Sequence, residues 1–274
     1  MARLRPSLPA LLLAALLLFA WVGPLLRATD PDALDLAATL APASAAHPLG
    51  TDESGRDILA RLMAGGRVSL AVGALASGVA LLLGTLVGAL AGWRGGRIEA
   101  LLMRLTDAAM AVPVLFVALA LLSLYGSRVA LLVGVIGVTS WPTVARLVRA
   151  EVAALRQAEY VHAARALGGR GERIVLRHLL PQLVPTLTVA ASLGVAYAIL
   201  TESALSFLGL GVQPPAASWG NMLTGAQASL YTAPRLAIWP GLMILLTTLA
   251  CNGLGEALRR QATQTHSHSH SHSH

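Results

Sequence analysis

Gln157-Ala158-Glu159-Tyr160-Val161-His162-Ala163-Ala164-Arg165-Ala166-Leu167-Gly168-Gly169-Arg170-Gly171-Glu172-Arg173-Ile174-Val175-Leu176-Arg177-His178-Leu179-Leu180-Pro181 is the stretch on which the fold turns. Its first part, 157–167, is built from strong helix formers. Gly168 and Gly169 then supply the residues that end helices. A second short helix is predicted to follow and to stop at Pro181, which lacks the N–H a helix needs. Spacing of i, i+3, i+4 and i+7 groups Tyr160, Val161, Ala164, Leu167 and Gly168 on one face. Small Ala and Gly residues on such a face suit a close-fitting groove. The stretch reads as a helix lying across a membrane surface and offered to a cytosolic partner. An amphipathic helix resting on lipid headgroups is the alternative, in keeping with its Arg content.

A membrane is implied by what flanks it. The chain of 274 residues is 55% hydrophobic and 12% charged, against about 25% charged in soluble domains. Six apolar segments are legible, at 8–26, 68–92, 101–124, 129–145, 184–205 and 236–254. A span needs about 20 apolar residues, and backbone in lipid must satisfy itself, so each is expected to be a helix. The fourth is short and carries Thr139, Ser140 and Pro142. The expected architecture is an all-α membrane protein with about six transmembrane helices. It divides into a first helix and outer loop (1–67), a transmembrane domain (68–260) and a His/Ser-rich tail (261–274).

The cations are 20 Arg and no Lys. A Walker A loop uses a Lys to reach nucleotide phosphates, so this chain carries none. Any ATP-driven work must come from a partner. The net charge of +7 could attract nucleic acid, but the Arg residues lie between apolar runs and read as loop anchors. With the N-terminus in the cytoplasm, six spans return the C-terminus there. Arg3, Arg5, Arg94, Arg97, Arg104, the seven Arg from Arg146 to Arg177, Arg259 and Arg260 then share the cytoplasmic side, 14 of the 20. That bias follows the positive-inside rule. The first apolar segment is longer than a cleaved signal core and exits at Arg27, so it reads as an uncleaved anchor. The single Cys251 excludes an intrachain disulfide. Gly84, Gly88 and Gly92 follow the spacing that lets helices approach closely, and packing within the subunit is the favoured reading over a dimer face.

The loop resembles the EAA motif of binding-protein-dependent ABC importer permeases. That motif reads Glu-Ala-Ala, three residues, Gly, nine residues, an apolar position, one residue, Leu-Pro. Ala163-Ala164, Gly168 and Leu180-Pro181 fall at those spacings, whereas His162 replaces the Glu and His178 the apolar residue. Further matches lie in His47-Pro48-Leu49-Gly50-Thr51-Asp52 with Gly55-Arg56-Asp57, in Ser206-Phe207-Leu208-Gly209-Leu210-Gly211-Val212 with Ser218-Trp219-Gly220, and in Asn252-Gly253-Leu254-Gly255-Glu256. Together they resemble the second permease subunit of dipeptide, oligopeptide and nickel importers over about residues 29 to 260.

The resemblance implies a type I importer permease fold in a bacterial inner membrane. It implies pairing with a homologous permease, two cytosolic ATPases holding ATP and Mg²⁺, and an extracytoplasmic substrate-binding protein. No cofactor is expected in this chain, and it is not an enzyme. Tyr160, Val161, His162, Ala163, Ala164, Leu167, Gly168 and Pro181 would form the coupling site. The substrate would be a di- or oligopeptide, with nickel or another metal as the alternative.

Two acids fall in apolar segments. Asp107 either pairs with Arg104 or Arg146 or lines the pathway, and Glu202 is either structural or a substrate or gating residue. The alternating imidazoles His266, His268, His270, His272 and His274 could hold Ni²⁺ or Zn²⁺. The same run also reads as an added tag or a tail without a role. Two rival classes are weighed. An intramembrane hydrolase would need a His in the bilayer, and every His lies in a loop or the tail. An ion-coupled secondary transporter using Asp107 and Glu202 should show inverted repeats, and none is legible.

Overall fold

A computed structural model describes residues 8–27 and 29–270, with side chains described as far as Gln261. The described secondary structure is helical: α1 (Leu8–Trp21), α2 (Gly23–Leu26), α3 (Ile58–Arg94), α4 (Gly96–Ala111), α5 (Val114–Tyr125), α6 (Val129–Leu155), α7 (Glu159–Ala166), α8 (Gly171–Ile174), α9 (Leu180–Phe207), α10 (Trp219–Ala226) and α11 (Arg235–His270).

Each of the six apolar segments read from the sequence falls on helix among the described residues. Among the described residues, four helical runs are long and apolar enough to cross a membrane: Ile58–Arg94, Val129–Leu155, Gly171–Phe207 and Arg235–Gln261. A fifth is a broken span, Gly96–Ala111 with Val114–Tyr125, bent by 74°. The bend falls at Pro113, whose ring disfavours helical backbone at Val112, and Val112 is extended (φ −95°, ψ 116°). The first apolar segment is helical over α1, which starts at the first described residue, and over α2, where Gly23 and Pro24 start a new turn.

The second span begins at Ile58 rather than Val68, because its charged residues are satisfied within the chain. Arg61 pairs with Asp32 at 3.0 Å, and Arg67 donates to the Ala20 carbonyl at 2.8 Å. Asp57 caps α3, accepting the Ala60 N–H at 2.8 Å. The same buried carboxylate meets Arg27 at 3.0 Å and His47 at 2.9 Å. It is the hub of a cap formed by residues 29–57, which also receives Arg235 from the start of α11 through the carbonyls of Leu40 and Ala41. Replacing Asp57 by Ala is expected to cost about 2–3 kcal/mol, one N-cap plus two partly exposed ion pairs. Thermal unfolding of the detergent-solubilised protein measures it, and Asp57→Asn, which keeps the cap, should lose less.

Lipid does not drive helices together as water does, so close backbone approach has to hold this bundle. Helices α3 and α6 pack along much of their length. Gly84, Gly88 and Gly92 face the Trp141, Ala145 and Arg149 carbonyls, where an added Cβ would lie 2.8, 2.5 and 2.7 Å away. The glycine series therefore packs within the subunit. In α6, Pro142 is tolerated in a turn where Thr139 and Ser140 hydroxyls bond back to the Val135 and Ile136 carbonyls at 2.7 Å each.

Candidate functional site

The loop 156–181 leaves α6 and forms α7 across the end of the bundle away from the cap. Val161 is fully buried, packed with Val148, Val152, Ile174 and Leu179, and Ala164 is half-buried beside it. Tyr160, His162, Ala163, Leu167 and Gly168 are exposed, Leu167 at 88%. The five-residue face expected from spacing is thus divided. Val161 and Ala164 attach the helix to its own bundle, and the remaining members stay free. Nothing caps the start of α7 through a side chain, because its N-cap residue is Ala158, which has no side-chain acceptor.

Gly168 ends α7 in a Schellman arrangement. Its N–H donates to Arg165 O at 2.9 Å, and the Gly169 N–H donates to Ala164 O at 3.0 Å. Gly168 has φ +80°, and an added Cβ there would meet nothing within 4 Å. The second short helix does not stop at Pro181. Residues Val175–Leu179 adopt a π-turn, with the Leu180 N–H donating to the Val175 carbonyl, and the helix continues into α9. Pro181 is the second residue of α9, directly after the π-turn.

Two contacts missed by sequence reasoning lie at this end, one fastening the loop and one joining α6 to α4. The Arg165 guanidinium lies over the Trp93 ring, 4.5 Å from its centroid. Arg149 of α6 pairs with Glu99 of α4, and both line a concavity with Arg156, His162 and Arg165. A Trp at the end of an apolar run was the one available signal, and nothing in the sequence matched it to Arg165.

The two intramembrane acids separate. Asp107 pairs with Arg146, and both are exposed. Glu202 is fully buried and accepts from Ser206 at 2.7 Å and Ser69 at 3.1 Å. Ser69 in turn accepts the Trp219 N–H at 3.1 Å, so the carboxylate joins α3, α9 and α10. Its oxygens face the hydroxyls of Ser69 and Ser206. At the cap end, a cleft between the cap and the segment 206–226 is lined by Asp52, Arg56, Arg61, Gln213, Asn221 and Met222. The tail imidazoles His266, His268, His270, His272 and His274 lie outside the residues whose side chains are described. Among the described residues no His, Cys, Asp and Glu cluster is placed to hold a metal.

The chain is similar to known proteins in sequence and in fold. The chain is 42% identical over 216 residues to the glutathione transport system permease protein GsiD of Pectobacterium atrosepticum, covering 79% of this chain and 72% of that one. It is 36% identical over 249 residues to the dipeptide transport system permease protein DppC of Alkalihalophilus pseudofirmus, covering 91% and 82%. It is 38% identical over 230 residues to the nickel transport system permease protein NikC of Escherichia coli, covering 84% and 83%. A chain of the inward-facing MetNI methionine ABC transporter shares the fold, with a TM-score of 0.56 at 18% identity, covering 71% of this chain and 94% of that one. Residues 84–264 match the profile of one family along most of the bundle, and the chain belongs to it: the binding-protein-dependent transport system inner membrane component family.

Proposed function

We propose that this permease forms half of the translocation pathway of an ATP-driven importer for di- or oligopeptides, beside a homologous permease subunit. The exposed side of α7, with Tyr160, His162, Ala163, Leu167 and Gly168, docks on a cytosolic ATPase, one of two in the assembly. ATP and Mg²⁺ reside on those ATPases, because this chain has no Lys for a Walker A loop. Closure of the ATPases pushes α7 and shifts the balance between inward- and outward-facing states. The cap end receives the extracytoplasmic binding protein.

The observation that carries this reading is α7 itself: one face anchored by Val161, the other open and closed off by a glycine turn. Arg placement supports the orientation. Arg165 and Arg149 share the α7 end through the Trp93 and Glu99 contacts, Arg94 and Arg97 flank those two partners in sequence, and α11 runs from the cap toward that end. Both termini are then cytoplasmic. The relatives that carry glutathione and dipeptide in their names support a peptide-like solute.

Uptake of a labelled dipeptide into proteoliposomes tests it. The complete assembly should accumulate the peptide only with ATP and binding protein. Gradient-driven uptake by this chain without ATPases would contradict the reading.

A further inference from the structure

α7 meets α3 at an aromatic residue, Trp93. Trp93 is the penultimate residue of α3. Arg165, in the last turn of α7, lies over its ring at 4.5 Å. Gly171, the first residue of α8, abuts the same indole: an added Cβ there would be 3.0 Å from Nε1 and 3.3 Å from Cζ2. So the two short helices on either side of the Gly168 turn both rest on one side chain.

What lies beyond Trp93 gives that contact consequence. α3 is an unbroken helix of 37 residues, and Ser69 sits about 36 Å from Trp93 along its axis. There the Ser69 hydroxyl donates to Glu202 and accepts from the Trp219 N–H, both at 3.1 Å. The Trp219 indole N–H in turn donates to the Leu62 carbonyl of α3 at 3.0 Å. A displacement delivered at Trp93 therefore reaches, through one rigid element, the junction of α3, α9 and α10 beside the cap.

We infer that Trp93 is a positioning residue, the post through which motion of α7 is passed to α3. The competing route, from Val161 into α6, is apolar packing without directional preference and can slide. A cation held over an indole face keeps α7 and α3 in register as α7 moves. The inference rests on the importer reading above, since it needs an ATPase to move α7.

The test uses the complete reconstituted assembly and three readouts: basal ATP hydrolysis, its stimulation by loaded binding protein, and peptide imported per ATP hydrolysed. Trp93→Ala and Arg165→Gln should each lower import per ATP about fivefold, with basal hydrolysis and ATPase co-purification retained. Trp93→Phe, which keeps an aromatic face, should stay within about twofold of wild type. The double variant should be no worse than the worse single, because both changes remove one contact. Should Trp93→Ala not assemble, Arg165→Gln against Arg165→Lys carries the comparison, with Lys restoring part of the loss. Single variants that couple like wild type, or losses that multiply in the double, overturn the inference. If the wild-type assembly shows no ATP-dependent uptake, the importer reading fails first and this inference with it.

Discussion

Replacing Gly88 by Leu is expected to reduce folded permease to background. Even the Cβ of an alanine would lie 2.5 Å from the Ala145 carbonyl oxygen and 2.9 Å from Val148 Cβ. The first of these is backbone of α6 and cannot rotate away. Overpacking a tight contact costs about 1–3 kcal/mol per site, which is the range expected for Gly88→Ala. The larger Leu forces α3 and α6 apart along a seam that Gly84 and Gly92 continue on either side. Since net stability is commonly about 5–15 kcal/mol, a loss beyond about 3 kcal/mol is enough to deplete a membrane protein during assembly. Gly78 in the same helix is the control. An added Cβ there meets nothing within 4 Å, so Gly78→Ala should give wild-type yield. Size-exclusion profiles of the solubilised variants, with their melting temperatures, measure the contrast.

The second large effect separates stability from transport. Gly168→Leu should abolish ATP-driven uptake while leaving the chain nearly as stable as Gly168→Ala. Within this chain the site is open, with nothing within 4 Å of an added Cβ, so the local cost is that of a left-handed residue. That cost is about 1–2 kcal/mol. It is the same for Ala and Leu, because neither branches at Cβ. Any further loss in Leu must come from a surface pressed against Gly168 from outside. Gly168→Asn, which tolerates the left-handed region, should retain most stability. Uptake, ATPase co-purification and melting temperature are compared across the three variants. Uptake that falls only in proportion to stability would place no partner over this glycine.

The parts of the fold legible in the sequence are those set by short-range chemistry. Gly168-Gly169 ends α7 as read, and the long apolar runs are helices. Pro113 marked the bend in the third segment, and the length of the apolar run 101–124 concealed it. Pro181 misled in the other direction, because a π-turn shifts the hydrogen-bond register just before it and lets the helix continue. The face of α7 was ambiguous for a physical reason. Tyr160 and Val161 are adjacent and both apolar, and which one lies over α6 depends on the chain's return path. The contacts between distant residues were not legible at all. Glu202 finds Ser69 from 133 positions away, and Arg27 at the end of α2 meets His47 of the cap at Asp57. The Gly84, Gly88 and Gly92 series declared close packing, and only the fold showed α6 as its partner.

Cross-linking from α7 in the active assembly is the most direct measurement. Cys251 is the sole cysteine and is buried, so an introduced cysteine is the reactive one. Ala163→Cys and Leu167→Cys, on the open side of α7, are expected to cross-link to an ATPase subunit, and more so when nucleotide closes the ATPases. Val161→Cys, on the buried side, is expected to give no product. An assembly that imports peptide yet gives no cross-link from positions 163 and 167, or gives one equally from 161, would contradict the assignment of this helix as the ATPase contact.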